Sequence, residues 1–154
     1  MERTLVLLKP DAVQRGLIGA LLARFEAKGL KIVGLKMRQF PTALIQKHYE
    51  AHKERPFFGS LVGFMTSGPV VALVLEGKNA IDVTRRLMGK TNAAEAEPGT
   101  IRGDWALSRS NNLVHGSDSP EAAKKELALF FPEASEVCEW SSPEFPWVYS
   151  PEER

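Results

Sequence analysis

Apolar residues recur with a strand-like pattern in three separate parts of the chain. A continuous apolar run from Thr4 to Leu8 predicts a buried strand, and Val70 to Leu75 predicts another. Between residues 31 and 40, apolar and polar residues alternate with a period of two. This alternation predicts a strand with one solvent-exposed face and with Leu35 and Met37 on its buried face.

A second, helical period links the strands. Ile18, Leu21, Leu22 and Phe25 share one face of a helix, and Gly29 ends it. Capping residues and apolar content predict four more helices, which run from Thr42 through His52, from the Phe57–Phe58 corner to about Ser67, from a cap at Asn79 to about Met88, and from Pro120 to about Phe131.

Two segments have no clear period. Residues 89–110 are rich in small residues and predict a long loop, which in a compact domain is usually functional. The tail, about 132–154, contains prolines together with Trp140 and Trp147. We expect it to dock on the domain or on a neighbouring subunit.

The order of the elements predicts the fold. Strands and helices alternate as two β-α-β halves, which favours an α+β, ferredoxin-like βαββαβ domain. We therefore expect a four-stranded antiparallel sheet with helices packed on one face, in a single domain spanning 1–154. A chain of this length buries enough surface to form a stable core without disulfides or structural metal ions.

Composition narrows the function classes. Twenty basic residues oppose nineteen acidic ones, so a surface for duplex nucleic acid is not indicated, although a local basic cluster stays open. The single cysteine, Cys138, excludes an internal disulfide and fits a reducing compartment. A surface or interface thiol without a specific function is its simplest interpretation. No apolar run is long enough for a membrane span, and no secretory signal is visible. We expect a cytoplasmic protein.

His115 is the leading candidate for chemistry. It leaves an apolar run and enters Gly-Ser-Asp-Ser, with Ser119 expected as a helix N-cap and Pro120 at the first helical position. Imidazole has an ordinary pKa of about 6.5, so near neutrality it offers a free lone pair and suits a nucleophile. Taken alone, His115 has a second interpretation as an ordinary structural histidine.

The other two histidines offer a metal-binding alternative. His48 and His52 are four residues apart on a predicted helix, which is a spacing that can bind a metal ion. No third ligand follows in a recognisable pattern, so an exposed helical face is the preferred interpretation.

Basic and aromatic residues predict a nucleotide pocket. Lys9, Arg85 and Arg102, with Thr91 nearby, form a reasonable phosphate clamp built from side chains, because the chain has neither glycine-rich phosphate motif. At the corner formed by Phe57 and its neighbour Phe58, one ring is a candidate platform for a base, and a core position for both rings is the alternative.

At this point the chain resembles the nucleoside diphosphate kinase family over nearly its whole length. The segments that carry the resemblance are Glu2-Arg3-Thr4, Lys9-Pro10-Asp11, Val13-Gln14-Arg15-Gly16, His48-Tyr49, Arg55-Pro56-Phe57-Phe58, Ser67-Gly68-Pro69-Val70-Val71-Ala72, Thr91-Asn92, Pro98-Gly99-Thr100-Ile101-Arg102-Gly103-Asp104, His115-Gly116-Ser117-Asp118-Ser119 and Trp147-Val148-Tyr149. Each is weak alone, but their order and separations together are highly specific.

The resemblance implies transfer of the γ-phosphate of a nucleoside triphosphate, chiefly ATP, to a nucleoside diphosphate. The route is a ping-pong exchange through a phosphohistidine on His115, with broad base specificity. The implied phosphate contacts are Lys9, Arg85, Thr91 and Arg102. The implied sugar contacts are Lys9 and Asn112, the base stacks on Phe57, and the residues that support the histidine are Tyr49, Ser117 and Glu126. Mg²⁺ is expected to arrive on the nucleotide phosphates, with few or no side-chain ligands.

Two positions depart from the family pattern, and assembly is left open. Ala93 stands where the family usually has a proline, and Arg109 stands where a small apolar residue is usual beside the base. The family forms hexamers or tetramers, and the tail with Trp147-Val148-Tyr149 is similar to the hexameric type.

Two rival functions use the same residues. One is a binding module that holds a nucleotide or single-stranded nucleic acid in a basic, aromatic groove. The other is a structural subunit whose oligomer is the functional unit. The presence of His115 together with every expected phosphate partner favours the enzyme, because a pure binder needs no nucleophile.

Overall fold

The computed structural model describes residues 1–154, which form four strands and eight helices. The strands are β1 (Glu2–Leu8), β2 (Lys31–Arg38), β3 (Val70–Gly77) and β4 (Val114–Gly116). The helices are α1 (Pro10–Gln14), α2 (Ile18–Ala27), α3 (Thr42–His48), α4 (Phe58–Met65), α5 (Ala80–Met88), α6 (Ile101–Trp105), α7 (Pro120–Phe130) and α8 (Phe145–Val148).

The four strands form one antiparallel sheet in the order β2-β3-β1-β4. Strand β1 is central. It pairs with β3 along its whole length and with the short β4, where Leu7 lies opposite His115. This topology confirms the ferredoxin-like α+β fold expected from the order of elements.

Both faces of the sheet are buried. Leu5 and Leu7 of β1 enter one apolar cluster, and Val6 and Leu8 enter the other. Helices α2 and α5 contribute to the second cluster, while α3, α4 and α7 contribute to the first. The expectation of helices on one face is therefore wrong, because β1 is apolar at consecutive positions and successive side chains point to opposite faces.

The predicted facing of β2 is also wrong. Val33 is buried, but Leu35 and Met37 are each 54% exposed. The register shifts between Ile32 and Gly34, where one extra residue enters β2. A bulge of one residue reverses the faces of the side chains that follow it, so Leu35 and Met37 point away from the core that holds Val33.

Helix ends differ from the prediction in two places. The helix expected through His52 ends at His48, and residues Glu50–His52 form a 3-10 turn. Asn79 precedes α5 in a left-handed conformation without a side-chain cap, and the carboxylate of Glu2 accepts the hydrogen bond from the Ile81 N–H instead. Ser119 does cap α7, as expected.

The segment 89–110 contains structure that the absence of a period did not predict. Ala93–Glu95 form a 3-10 turn, and α6 follows with Thr100 as its N-cap. Helix α6 packs closely against the preceding chain, because a Cβ on Gly103 would lie 1.9 Å from the carbonyl oxygen of Glu97. This packing fixes the position of Arg102.

The tail contacts its own domain. The indole Nε1 of Trp140 donates to the carbonyl of Ile32 at 3.0 Å, and the Cys138 N–H donates to the carbonyl of Val33. Farther along, the hydroxyl of Tyr149 accepts a hydrogen bond from the Lys78 N–H. Among the helices, none has the length and apolar character that crossing a membrane requires.

Candidate active site

His115 lies on β4, and a carboxylate fixes its ring. The Nε2 atom lies 2.5 Å from Oε1 of Glu126, which α7 carries back toward the strand. Ser117 is fully buried, and its hydroxyl donates to the same carboxylate oxygen at 3.3 Å while accepting from the Leu5 N–H. The N-cap at Ser119 sets the start of α7, and so places Glu126 against the ring.

These contacts determine which nitrogen of His115 has a free lone pair. A carboxylate accepts hydrogen bonds, so Nε2 carries the proton that Glu126 accepts. Nδ1 has no hydrogen-bond partner within the protein, and the side chain is 24% exposed. With its proton on Nε2, the imidazole presents its lone pair at Nδ1, as a nucleophile requires.

His48 is the residue that the sequence interpretation missed. Its ring centroid lies 4.7 Å from that of His115, with the rings edge to face. Both of its nitrogens are buried without a partner. Burial lowers the pKa of His48 to about 2, and the charges of His115, Lys9 and Lys125 act in the same direction.

The expected exposed face for His48 is thus wrong. So is the alternative pairing with His52, which lies beyond the end of α3 and whose ring is 5.6 Å from that of Phe57. The only signal in the sequence was the family-like pair His48-Tyr49.

Tyr49 follows His48, with the two ring centroids 4.4 Å apart. Burial raises the pKa of the Tyr49 phenol, and the negative charge of Glu126 raises it further. The phenol therefore stays protonated and able to donate near Glu126.

Lys9 is a buried cation at the end of β1. Its ammonium donates to Oδ1 of Asn112 at 2.8 Å. Burial lowers the pKa of Lys9 to about 8, and the positive charge of Arg102 lowers it as well, while Asp11 has the opposite effect. One neutral amide oxygen leaves two ammonium protons available for an anion.

Asn112 links three segments of the site. Its side-chain amide donates to the carbonyls of Thr91 and Arg109, at 2.9 Å each. The next residue, Leu113, has a φ of 73°, a strained conformation for a branched side chain. The carboxylate of Asp11 accepts from the Leu113 N–H at 3.1 Å and holds this turn, a role that no sequence pattern indicated.

Arg102 is 4% exposed, and most of its hydrogen-bond donors are used by backbone carbonyls. Its guanidinium donates to the carbonyls of Gly89, Asn112 and Val114 at 2.7 to 3.2 Å. A guanidinium has five N–H donors, so two remain for an anion. Burial lowers the pKa of Arg102 to about 10, and the charge of Arg85 adds to this effect.

The remaining predicted residues are at the surface. Arg85 donates to the carbonyl of Gly116, next to His115, and Thr91 is exposed on the neighbouring loop. Phe57 is 48% exposed, whereas Phe58 packs against the core, so the alternative that places both rings in the core is wrong. Phe57 contacts His52 but is not among the groups packed or hydrogen-bonded around His115.

One cluster of ligand-type side chains lies in the site. His48, His115 and Glu126 place one ligand atom each within 4.8 Å of one another. Mg²⁺ prefers an octahedron of oxygen atoms, and two of these three donors are nitrogens. The residues therefore do not fit a resident magnesium ion.

A histidine with a free Nδ1 beside cations, on a ferredoxin-like sheet, is the arrangement expected of an enzyme that acts on phosphate-bearing substrates. A sequence model of the nucleoside diphosphate kinase family matches residues 2–136. The chain belongs to this family, and is therefore a kinase that acts on nucleotides.

Individual relatives agree. The chain is 54% identical to a nucleoside diphosphate kinase of Archaeoglobus fulgidus over 97% of its own length and 98% of that protein. It is 55% identical to one from Gloeobacter violaceus, over 97% and 99%. A solved structure of the halophilic nucleoside diphosphate kinase from Halobacterium salinarum in complex with CDP matches with a TM-score of 0.93 and 49% identity, covering 96% of this chain and 98% of that one.

The burial of Lys9 predicts a specific pH dependence of stability. In the folded chain Lys9 loses its proton near pH 8, but the unfolded chain keeps it up to about 10.5. Between these values the unfolded state binds more protons, so the free energy of unfolding rises with pH. We expect the wild type to gain about 2 kcal/mol over Lys9→Met between pH 7 and pH 10, measured by urea unfolding.

Groups common to both proteins cancel in this difference. A difference in unfolding free energy that stays constant across this pH range would contradict the buried-cation interpretation of Lys9.

Proposed function

We propose that the enzyme transfers the γ-phosphate of a nucleoside triphosphate, chiefly ATP, to a nucleoside diphosphate through a phosphohistidine on His115. The observation that carries this proposal is the pairing of Nε2 with Glu126, which leaves the lone pair on Nδ1. The two substrates use one pocket in turn, which gives ping-pong kinetics.

In the first half-reaction, Nδ1 of His115 attacks the γ-phosphorus. The bond from that phosphorus to the β,γ-bridging oxygen breaks, and its electron pair leaves with the nucleoside diphosphate. The ring becomes cationic, and the carboxylate of Glu126, held by Ser117, stabilises the charge through the Nε2–H. In the second half-reaction, a terminal oxygen of another nucleoside diphosphate attacks the phosphohistidine and regenerates the free lone pair.

The cations of the site supply the electrostatic part of catalysis. Phosphoryl transfer depends mainly on positioning and on stabilising charge on the transferring group. Arg85, Arg102 and Lys9, with the hydroxyl of Thr91, are assigned to the phosphates. Each charge-assisted hydrogen bond is worth roughly 1.5–3 kcal/mol. Tyr49, whose phenol stays protonated, is assigned to the support of the histidine.

The sugar and base are read by few groups. Lys9 and Asn112 are hydrogen-bonded to each other and are assigned to the ribose hydroxyls. The exposed ring of Phe57 stacks on the base without hydrogen bonds to its edge, which explains tolerance of all bases. The complex of the Halobacterium salinarum relative with CDP supports a nucleotide as the ligand.

Mg²⁺ belongs to the substrate in this proposal. The phosphates supply the oxygen ligands that the ion prefers, and the cluster around His115 does not. We therefore assign Mg²⁺ to the nucleotide phosphates and give it no side-chain ligand.

A pure binding module is a weaker proposal. Nucleotide or single-stranded nucleic acid could use the same cations and the exposed Phe57. Binding alone gives no reason for a nucleophile whose second nitrogen is fixed by Glu126, so we keep nucleic acid as an open partner only.

We further propose a single domain that forms a homo-oligomer, a hexamer rather than a tetramer, in the cytoplasm. Strand β2 lies at the edge of the sheet and exposes Leu35 and Met37. An exposed apolar edge of this kind is a contact surface for a second copy of the chain. The tail adds the exposed Trp147. The exposed free thiol of Cys138 suits a reducing compartment.

Labelling tests the phosphohistidine. Incubation with ATP labelled on the γ-phosphate is expected to label the wild type with a bond that survives alkali but not acid. His115→Asn is expected to stay unlabelled, because it has no ring nitrogen. An unlabelled wild type that still turns over substrate would overturn the ping-pong mechanism.

Glu126→Ala supplies the second arm of the same experiment. Loss of the carboxylate frees the ring to rotate and to place its proton on Nδ1, so phosphoenzyme should form about ten- to a hundredfold more slowly. Label formation at the wild-type rate would remove Glu126 from its assigned role.

The base-stacking role of Phe57 predicts an even loss across substrates. Phe57→Ala should raise KM about five- to a hundredfold, because stacking on an aromatic ring is worth about 1–3 kcal/mol per base. The rise should be similar for purine and pyrimidine diphosphates, and Phe57→Trp should largely keep the wild-type KM. Steady-state kinetics that show a loss for one base only would contradict unspecific stacking.

The exposed edge of β2 predicts how assembly can be disrupted. Light scattering at low micromolar concentration should give a mass of six chains for the wild type. Leu35→Asp combined with Met37→Asp should give smaller species, because charges replace the apolar contact. A monomeric wild type would contradict the oligomer, and a tetramer would correct its size.

A further inference from the structure

The cluster formed by His48, His115 and Glu126 brings together three metal-ligand types from three elements. His48 ends α3, His115 lies on β4, and Glu126 lies on α7. One ligand atom from each lies within 4.8 Å of the others. Two imidazoles and one carboxylate make a donor set that is found at three-ligand zinc sites, where the fourth position stays open.

His48 gives an independent reason to assign a ligand here. Both of its ring nitrogens are buried, and neither has a hydrogen-bond partner. Buried polar atoms in native proteins are almost always paired, so an unpaired one calls for an explanation. None of the steps assigned to the phosphoryl transfer uses His48, and its only close aromatic neighbours are Tyr49, His115 and Phe130.

We propose that His48, His115 and Glu126 bind Zn²⁺, and that the bound ion blocks phosphoryl transfer. Zinc lies about 2.1 Å from imidazole nitrogen and from carboxylate oxygen, which places tetrahedral ligands roughly 3 Å apart or more. Nε2 of His115 and Oε1 of Glu126 are 2.5 Å apart and must separate slightly to admit the ion. The partly exposed ring of His115 gives the ion a path from solvent.

The block follows from the tautomer of His115. Without metal, Nε2 carries the ring proton and Nδ1 carries the lone pair. Zinc takes the lone pair of Nε2, so the single ring proton moves to Nδ1 and the imidazole stays neutral. No proton is gained or lost, but the nitrogen that attacks phosphorus no longer has a lone pair. Mg²⁺ does not compete for this set, because it prefers oxygen ligands.

The two parts of this inference fail separately. Zinc binding depends only on the three side chains, whereas the block rests on the proposed phosphohistidine function. The experiment therefore measures binding first, without nucleotide, because nucleotide phosphates themselves bind metal ions.

Binding is measured by titrating ZnCl2 into the full chain near pH 8, with calorimetry as the readout. All proteins carry Cys138→Ser, because that exposed thiol is a competing zinc ligand. We expect one zinc per chain. His48→Phe should weaken binding about 100-fold or more, since even groups that only orient a ligand contribute about 10- to 100-fold.

Two further variants control this result. His48→Gln keeps a polar side chain of similar reach, so it guards against a folding defect in His48→Phe, and it should bind as weakly. His52→Ala removes a histidine outside the cluster and should keep the wild-type affinity. Co²⁺ as a second probe should give the visible absorption of a nitrogen-ligated site in the wild type, and His48→Phe should lack it.

Equal zinc affinity in the wild type and in both His48 variants would overturn the site. The block is measured as the ratio of transfer rates with and without zinc under excess Mg²⁺, taken within each protein. A ratio near one at saturating zinc, in a wild type that binds zinc through His48, would overturn the block alone. Failure of phosphoenzyme labelling without zinc would instead count against the proposed function.

Discussion

In the proposed mechanism, the hydrogen bond between Glu126 and Nε2 of His115 determines the chemistry of the whole site, because it fixes both the orientation of the ring and the nitrogen that reacts. The fold supplies the two ends of this bond separately. Strand β4, at the edge of the sheet, pairs His115 with Leu7 of the central strand β1. The N-cap at Ser119 sets the path of α7 to Glu126. The position of Nε2 of His115 relative to Glu126 therefore depends on the register of β4 and on where α7 begins.

The second constraint is positive charge held out of water. Burial is the largest cause that lowers the pKa values of Lys9 and Arg102. The charge of Arg102 lowers the pKa of Lys9 further, and the charge of Arg85 lowers that of Arg102. Carbonyl and amide oxygens accept hydrogen bonds from Lys9 and Arg102 and offset part of the cost of burying these charges. Both cations keep N–H donors that no protein group accepts. In the proposed function, a phosphate group brings the missing negative charge, so the unfavourable energy of the free site becomes affinity for the substrate. The buried cations thus lower the stability of the free protein at the position where they strengthen substrate binding.

Much of this arrangement could be predicted from the sequence. Continuous apolar runs indicated β1 and β3, Ser119-Pro120 indicated the start of α7, and the order of elements gave the sheet topology. These features depend on local chemistry. The facing of Leu35 and Met37 could not be predicted, because a single bulge in β2 reverses it and the bulge arises from pairing with β3. Burial on both faces, in contrast, follows from the consecutive apolar positions of β1, whose side chains alternate between the two faces.

The site shows the same division. Residue types and spacing indicated His115 and its cations, and the resemblance to a family assigned Glu126 and Ser117. His48 was misinterpreted because an i, i+4 partner at His52 suggested a shared helical face, yet the helix ends between them. Once α3 packs beside α7, the ring of His48 is placed against His115 and its nitrogens lose contact with water. Tertiary packing, which no spacing rule encodes, thus places a second imidazole beside the ring of His115.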